Sequence, residues 1–126
     1  MHRSRIGVLL IDVETDQYDA AETFWAAVTG RTAEPEDDEP YASLGSLDRV
    51  SVALQRTGAG TPPRVHLDVE SDDVAAEVDR LVGLGASVTS RFDDYAILAD
   101  PAGYPFCVVP VQSADDFEAS ARSWGS

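Results

Sequence analysis

The feature of this sequence that most constrains its fold is an internal repeat. The segment Leu10–Asp16 returns as His66–Asp72, with five of seven positions identical or exchanging Thr for Ser, at an offset of 56 (66 minus 10). The match continues downstream at an offset of 55 (85 minus 30): Ala20–Glu22 with Ala75–Glu77, and Gly30 with Gly85. A repeat of this length predicts two modules of one fold, related by a pseudo-twofold axis with a cavity between them.

The repeat also allows equivalent positions of the two halves to be compared. His66 stands where the first copy has Leu10, whose side chain has no hydrogen-bonding group. The comparison therefore singles out His66 as a candidate functional residue.

The charge balance limits the partners of the chain. Nine basic residues, all Arg, stand against 23 acidic ones, and the formal net charge is -14. This charge repels nucleic acid phosphates and anionic lipid headgroups, so we expect neither nucleic acid nor membrane partners. The single Cys107 excludes an internal disulfide, and neither a membrane-spanning stretch nor a signal peptide is recognisable. We therefore expect a cytoplasmic protein.

Apolar spacing and turn residues predict the same order of elements in both halves, namely a strand, a helix and three strands. In the first half the residues mark a strand at 6–13, a helix capped by Thr15 or Asp16 and ended by Gly30, an acidic loop at 34–40, and two of the three following strands, at 41–44 and 50–56. The apolar helix face consists of Ala21, Phe24, Trp25 and Val28. We expect this face to pack against the sheet.

The second half repeats this order. Its predicted elements are a strand at 64–70, a helix capped by Ser71 and ended by Gly85, strands at 87–92, 95–99 and 106–111, a turn at 100–103, and a terminal helix at 113–124. With 126 residues and 44% hydrophobic content, the chain is long enough for one domain. We predict an α+β domain at 1–112, with module one at about 6–57, a linker at 58–63 and module two at about 64–111, followed by a helix and tail at 113–126.

These elements resemble a known superfamily. The residues that carry the resemblance are Asp16, Phe24-Trp25 and Gly30, the helix end Leu81 to Ala86, and above all Ala99–Phe106, which reads ADPAGYPF. From about residue 6 to 110 the chain resembles the vicinal oxygen chelate superfamily of glyoxalases, bleomycin-resistance proteins and dioxygenases. The resemblance implies two βαβββ modules that form a curved mixed-sheet half-barrel with a cleft, in a protein that is commonly a homodimer.

The resemblance also implies four inward-facing positions. In metal-dependent members of the superfamily each module gives two ligands to a divalent ion, and the equivalent residues here are Leu10, Gln55, His66 and Cys107. Leu10 has no lone pair and Gln55 offers only a neutral carbonyl oxygen. Because catalytic metals normally have at least three charged or imidazole ligands, we expect neither a tightly held metal nor another cofactor.

Cys107 has two interpretations. It is either a thiol activated by His66 or a small apolar residue of the strand. Asp12 and Asp68 share a strand face with Leu10 and His66, respectively, where they can hydrogen-bond the following helix. The sequence alone therefore assigns no acidic residue to orient His66.

The leading functional hypothesis is a protein that binds a small, partly aromatic or apolar molecule in a cleft without a catalytic metal. His66 and Gln55 supply polar contacts, Leu10 and Cys107 share their face, and Tyr41, Phe92 and Tyr95 form the walls. One alternative is a metal-dependent lyase, isomerase or dioxygenase of the same superfamily with an atypical metal site, in which His66 with Cys107 or Gln55 holds the ion. Another is a partner-binding dimer with no small-molecule role.

Overall fold

The computed structural model describes residues 1–35 and 40–125, and within them the chain is a mixed α+β protein. The strands are β1 (His2–Glu14), β2 (Glu34–Pro35), β3 (Tyr41–Leu47), β4 (Val50–Thr57), β5 (Arg64–Ser71), β6 (Ser87–Arg91), β7 (Ala96–Ala99), β8 (Pro105–Pro110) and β9 (Arg122–Trp124). The helices are α1 (Tyr18–Thr29), α2 (Val74–Gly83) and α3 (Ala114–Ser120). The order strand, helix, three strands therefore occurs twice, as predicted. The assignment of residues 34–35 to a loop was wrong, because Glu34–Pro35 form β2, which pairs antiparallel with β3. Most of the predicted acidic loop, residues 36–39, lies outside the described residues.

The chain divides into two compact units. We call Val8–Val65 the first unit, and Met1–Gly7 with His66–Ser126 the second unit. Strand β1 contributes its first residues to the second unit and the rest to the first. The N-terminal residues thus belong with the second copy of the repeat, an assignment that local sequence patterns do not reveal.

The first unit has the strand order β2-β3-β4-β1. Strand β4 is parallel to β1 and antiparallel to β3. Helix α1 packs on one face through Ala21, Trp25 and Ala26. The predicted apolar face of this helix was partly wrong, because Phe24 and Val28 are 58% and 59% exposed. The smaller Ala26, which was not part of the predicted face, packs against the core instead.

The start of α1 also differs from the prediction, whereas its end agrees. A turn of 3-10 helix, Thr15–Gln17, precedes α1, and neither Glu14 nor Gln17 caps its helix with a side-chain hydrogen bond. The predicted cap at Thr15 or Asp16 is therefore wrong, because both residues lie inside the 3-10 turn. At the other end Gly30 adopts φ 69°, the left-handed conformation that glycine favours at this position.

The second unit has the strand order β1-β5-β8-β7-β6. Strand β8 is parallel to β5 and antiparallel to β7. Helix α2 covers one face, where a core of four buried residues lies: Val78, Ala96, Leu98 and Val108. The cap of α2 is Asp73, whose carboxylate accepts a hydrogen bond from the Ala76 amide. The predicted cap, Ser71, instead accepts a hydrogen bond from the Asp73 amide, because β5 continues through it.

The C-terminal segment is shorter in helix than predicted. Helix α3 ends at Ser120, and β9 then pairs antiparallel with residues 2–4 of β1. Trp124 is placed by this pairing, and its indole Nε1 donates to Ser4 Oγ at 2.8 Å. The backbone groups of β1 at residues 2–4 form hydrogen bonds with an extended segment, and a helical pattern in the sequence does not predict this pairing. Among the described residues no helix is long and apolar enough to cross a membrane.

Candidate functional site

Three chemically reactive side chains meet in the second unit: His66, Asp68 and Cys107. One donor atom from each lies within 4.8 Å of the other two. The His66 Nε2 to Asp68 Oδ1 distance is 3.9 Å, and these two side chains are 11% and 13% exposed. We refer to these three residues as the donor cluster. Its groups are therefore largely, but not completely, sheltered from solvent.

Strand geometry explains how the cluster forms. Side chains two residues apart on a strand share a face, which brings His66 and Asp68 together on β5. The parallel register of β5 and β8 then places Cys107 directly beside Asp68. Because Val69 and Val108 face the α2 core, the cluster lies on the opposite face of the sheet.

The same face of β5 carries a further ionised residue whose role is structural. Glu70 is 1% exposed and accepts from Arg5 Nε at 3.0 Å and from the Gln112 amide at 3.2 Å. Arg5 Nη1 also lies 3.1 Å from Ser120 Oγ. This buried ion pair links β1, β5 and the C-terminal segment, so Glu70 is committed to the fold.

The first unit has an equivalent position with different chemistry. Asp12 is beside Gln55 in the parallel register of β1 and β4, as Asp68 is beside Cys107. Asp12 is 2% exposed, and its Oδ2 accepts from Arg64 Nε at 3.1 Å. The guanidinium therefore neutralises this carboxylate, whereas the equivalent Asp68 faces an imidazole.

The other predicted site residues of the first unit are Leu10, Gln55 and Tyr41. Gln55 Nε2 lies 3.3 Å from Tyr41 Oη, across the antiparallel pair of β3 and β4. Leu10 is 3% exposed in a small apolar cluster with Val8 and Ala53, against which Tyr41 packs. The structure thus joins Gln55 to Tyr41 and makes Leu10 a core residue.

The two predicted aromatic wall residues of the second unit form a pair. The rings of Phe92 and Tyr95 stack with centroids 4.5 Å apart and an interplanar angle of 11°. Phe92 is 49% exposed, so the pair is not part of a closed core. Such an exposed stacked pair offers a flat surface to an aromatic ligand.

A wide, shallow depression of about 540 Å³ lies elsewhere in the first unit, at the end of α1. Its lining residues are Glu22, Thr23, Ala26, Ala27, Gly30, Arg31, Thr32 and Ala33. These residues include neither a predicted site residue nor a member of the donor cluster. The depression is therefore separate from the donor cluster.

Asp68 is the candidate site residue that sequence reasoning missed. Strand alternation already placed it on the face of His66, but a hydrogen bond to the following helix explained it equally well. The acidic partner that the sequence did not assign to His66 is present in the structure as Asp68. The register between β5 and β8 is the missing information, because only this register brings Asp68 beside Cys107.

The four superfamily metal positions do not fit a metal of the usual kind. Leu10 is a buried alkyl side chain, and the Gln55 amide lies at hydrogen-bond distance from Tyr41. Asp12, the carboxylate nearest to Gln55 in register, is neutralised by Arg64. The first unit therefore supplies no charged oxygen ligand at these positions, and hard ions such as Mg²⁺ require oxygen ligands.

Comparison with solved structures supports the fold. A hypothetical protein from Bacillus halodurans superposes with a TM-score of 0.64 at 11% identity, covering 87% of this chain and 96% of that one. A structure described as an NAD-dependent benzaldehyde dehydrogenase from Legionella pneumophila gives 0.60 at 11% identity, with 83% and 98% covered. The 2,2',3-trihydroxybiphenyl 1,2-dioxygenase from Sphingomonas wittichii gives 0.58 at 16% identity, and the 87% of this chain that matches spans 41% of the dioxygenase.

Comparison of sequences identifies the family. No curated protein matches the chain. The profile of the family described as "Glyoxalase-like domain" matches residues 9–109, which include β1 from Leu9 and most of β8. These residues contain both copies of the repeat and the donor cluster, and the chain belongs to the glyoxalase-like domain family.

Proposed function

We propose that this protein binds a small, partly aromatic or apolar molecule on the sheet face of the second unit that carries His66, Asp68 and Cys107. The observation that carries the proposal is the donor cluster, whose His66 and Asp68 side chains are largely buried. Polar groups in such a sheltered position form stronger hydrogen bonds than they do in water. His66 and Asp68 supply the polar contacts of the ligand.

The Phe92–Tyr95 pair supplies the apolar part of the proposed site. Ile97 is the antiparallel partner of Cys107, and Tyr95 precedes Ile97 by two residues. Strand alternation therefore favours the face of Cys107 for the Tyr95 ring. In the proposed site a planar ligand stacks on this pair and directs a polar substituent towards the donor cluster. The net charge of -14 disfavours polyanionic ligands.

Leu10, Gln55 and Tyr41 of the first unit stay predicted ligand contacts. The Gln55 amide and the Tyr41 hydroxyl lie 3.3 Å apart, so a polar group of the ligand can contact both side chains. Gln55→Leu tests this contribution separately from the donor cluster.

A metal-dependent lyase, isomerase or dioxygenase is the second candidate function. One observation favours it, namely the combination of imidazole, carboxylate and thiol in the donor cluster. The two candidates differ in a measurable way, because the first binds its ligand after metal is removed and the second does not.

The test is a saturation-transfer NMR screen of the chelator-treated full chain with catechol, indole and 4-hydroxybenzaldehyde as probes. We expect binding of at least one probe. His66→Ala should weaken it by about 1–3 kcal/mol, because a desolvated polar partner is left unpaired. This loss corresponds to roughly 5- to 150-fold in affinity.

Phe92→Ala should also weaken binding of the probe. Phe24→Ala is the matched control, since Phe24 is 58% exposed in the first unit and also belongs to an aromatic pair. Absence of saturation transfer from every probe, or an equal loss in the control, would contradict the proposal.

A further inference from the structure

From the donor cluster we infer a second property: His66, Asp68 and Cys107 form a binding site for one thiophilic divalent cation, represented by Zn²⁺, within the second unit alone. The superfamily arrangement takes two ligands from each module. The site inferred here differs from that arrangement, because Asp68 lies outside the four superfamily positions and no ligand comes from the first unit.

The spacing of the donor atoms suits this ion. Zinc binds imidazole nitrogen, carboxylate oxygen and thiolate sulfur at about 2.0–2.3 Å, so tetrahedral ligands lie roughly 3.3–3.8 Å apart. The donor atoms of the cluster already lie within 4.8 Å of one another, with His66 and Asp68 at 3.9 Å. A contraction of about 1 Å is within reach of side-chain rotation, and the strand backbones need not move.

The charges and the donor types of the cluster also suit a thiophilic divalent cation. A carboxylate from Asp68 and a thiolate from Cys107 balance the two positive charges of the ion, and His66 binds as a neutral ligand. A thiolate selects Zn²⁺ or Co²⁺ over Mg²⁺ and Ca²⁺, which prefer oxygen ligands. Three protein ligands leave the fourth position for water or another small ligand.

Arg5 and Arg64 each have an acidic partner outside the donor cluster. Arg5, a cation on the same sheet face, forms a 3.0 Å ion pair with Glu70. In the first unit the equivalent Asp12 is bonded to Arg64, and its register neighbour is the amide of Gln55. The two halves of the repeat have therefore diverged, and only the second unit has the three donors.

The test is titration of the untagged, chelator-treated full chain with Co²⁺ alone. Because Cys107 is the only cysteine in the chain, a thiolate-to-cobalt charge-transfer band can arise from no other residue. We expect this band to saturate at one equivalent of Co²⁺, with visible bands of the intensity typical of four-coordinate cobalt. Zn²⁺ should displace the cobalt and remove both signals.

Variants identify the other ligands. Asp68→Asn and Cys107→Ser are nearly isosteric, so they preserve the fold, and each should weaken Co²⁺ binding at least tenfold. Cys107→Ser should also abolish the charge-transfer band. His2→Gln is the matched control, since His2 is the only other histidine in the chain, and its binding curve should equal that of the wild type.

Several results would overturn the inference: no charge-transfer band in the wild-type protein, unchanged affinity in Asp68→Asn, or loss of binding in a His2→Gln variant whose circular dichroism equals that of the wild type. The wild-type spectrum decides even if a variant fails to fold. The cobalt titration contains no organic ligand and the probe screen contains no metal. Failure of the metal site and failure of the proposed ligand site are therefore distinguishable.

Discussion

The backbone of Gly7 lies directly against the side chain of Glu70. A Cβ built on Gly7 would lie 2.6 Å from Glu70 Cγ and 2.8 Å from its Oε1. No such contact is tolerated without movement, and the Glu70 side chain is 1% exposed and held by Arg5. Gly7 is thus required by the close approach of two strands and not by a special backbone angle.

Gly7→Ala should therefore destabilise the protein by about 1–3 kcal/mol, the usual cost of overpacking. Urea unfolding measures the change. Gly83→Ala is the control, because a Cβ there meets nothing within 4 Å, and it should be neutral or slightly stabilising. In a Glu70→Ala background the cost of Gly7→Ala should fall. Additive effects in this double-mutant cycle would contradict the proposed contact.

Glu70→Gln tests the buried ion pair. It leaves the Arg5 guanidinium, which is 4% exposed, without its charged partner. We expect a loss of about 3 kcal/mol or more in the free energy of unfolding. Glu118→Gln is the matched comparison, because Glu118 pairs with Arg3 at the exposed surface and its loss should change the unfolding midpoint little. Equal effects of the two substitutions would show that burial does not control the strength of these pairs.

Glu77 predicts a pH dependence of stability. Burial alone would raise the pKa of this carboxyl, but hydrogen bonds from Arg80, His2 and Ser4 outweigh it and hold the pKa below its ordinary value of 4.5. The ionised form therefore stabilises the fold above about pH 4.5. This contribution is lost as the pH falls through the lower folded-state pKa. Unfolding free energies measured from pH 6 to pH 3, roughly the range over which such carboxyls titrate, should show a shallower slope for Glu77→Gln than for the wild type.

Trp124 tests the role of the C-terminal strand. Its indole donates to Ser4 Oγ, and the Arg80 guanidinium lies 3.9 Å from its ring centroid. Trp124→Phe keeps the ring but leaves Ser4 without this donor, and it should cost about 1 kcal/mol. Trp124→Ala also removes the cation–π contact and should cost about 2–3 kcal/mol. Equal losses in thermal unfolding of the two variants would show that the ring itself contributes nothing.

The homodimer stays a prediction. The prediction depends on the resemblance to a superfamily of common dimers. The apolar Phe117 of α3 does not add to it, because this side chain is 2% exposed and is covered by its own chain. We expect light scattering in moderate salt to give twice the chain mass of 13.5 kDa. The net charge of -14 should favour dissociation at low ionic strength. A monomeric mass at micromolar concentration in moderate salt would contradict this prediction.

Local sequence patterns were sufficient for much of the fold. The repeat predicted two copies of one order of elements, and both copies are present. Gly30 ends α1 as expected, and Gly103 closes the predicted turn at φ 96° with a hydrogen bond from its amide to the Asp100 carbonyl. These features follow from the backbone preferences of a few adjacent residues, so a short stretch of sequence contains their cause.

Features that depend on pairing between distant segments were predicted less well. Trp124 was assigned to a helix, but the edge of β1 draws it into β9. The face of α1 was predicted from spacing alone, and Phe24 is nevertheless exposed. For Trp124 the pairing with β1 outweighs the local helical pattern, and for α1 the core contacts are made by Ala21, Trp25 and Ala26.

The candidate site divides in the same way. The sequence alone determined the repeat, the chemistry of His66 and Cys107, and the lack of a donor at Leu10. Only the tertiary structure decided that Asp68 joins His66 and Cys107 and that Arg64 neutralises the equivalent Asp12. The physical reason is that strand register is set by pairing and packing across the whole sheet, and register decides which side chains of distant segments meet.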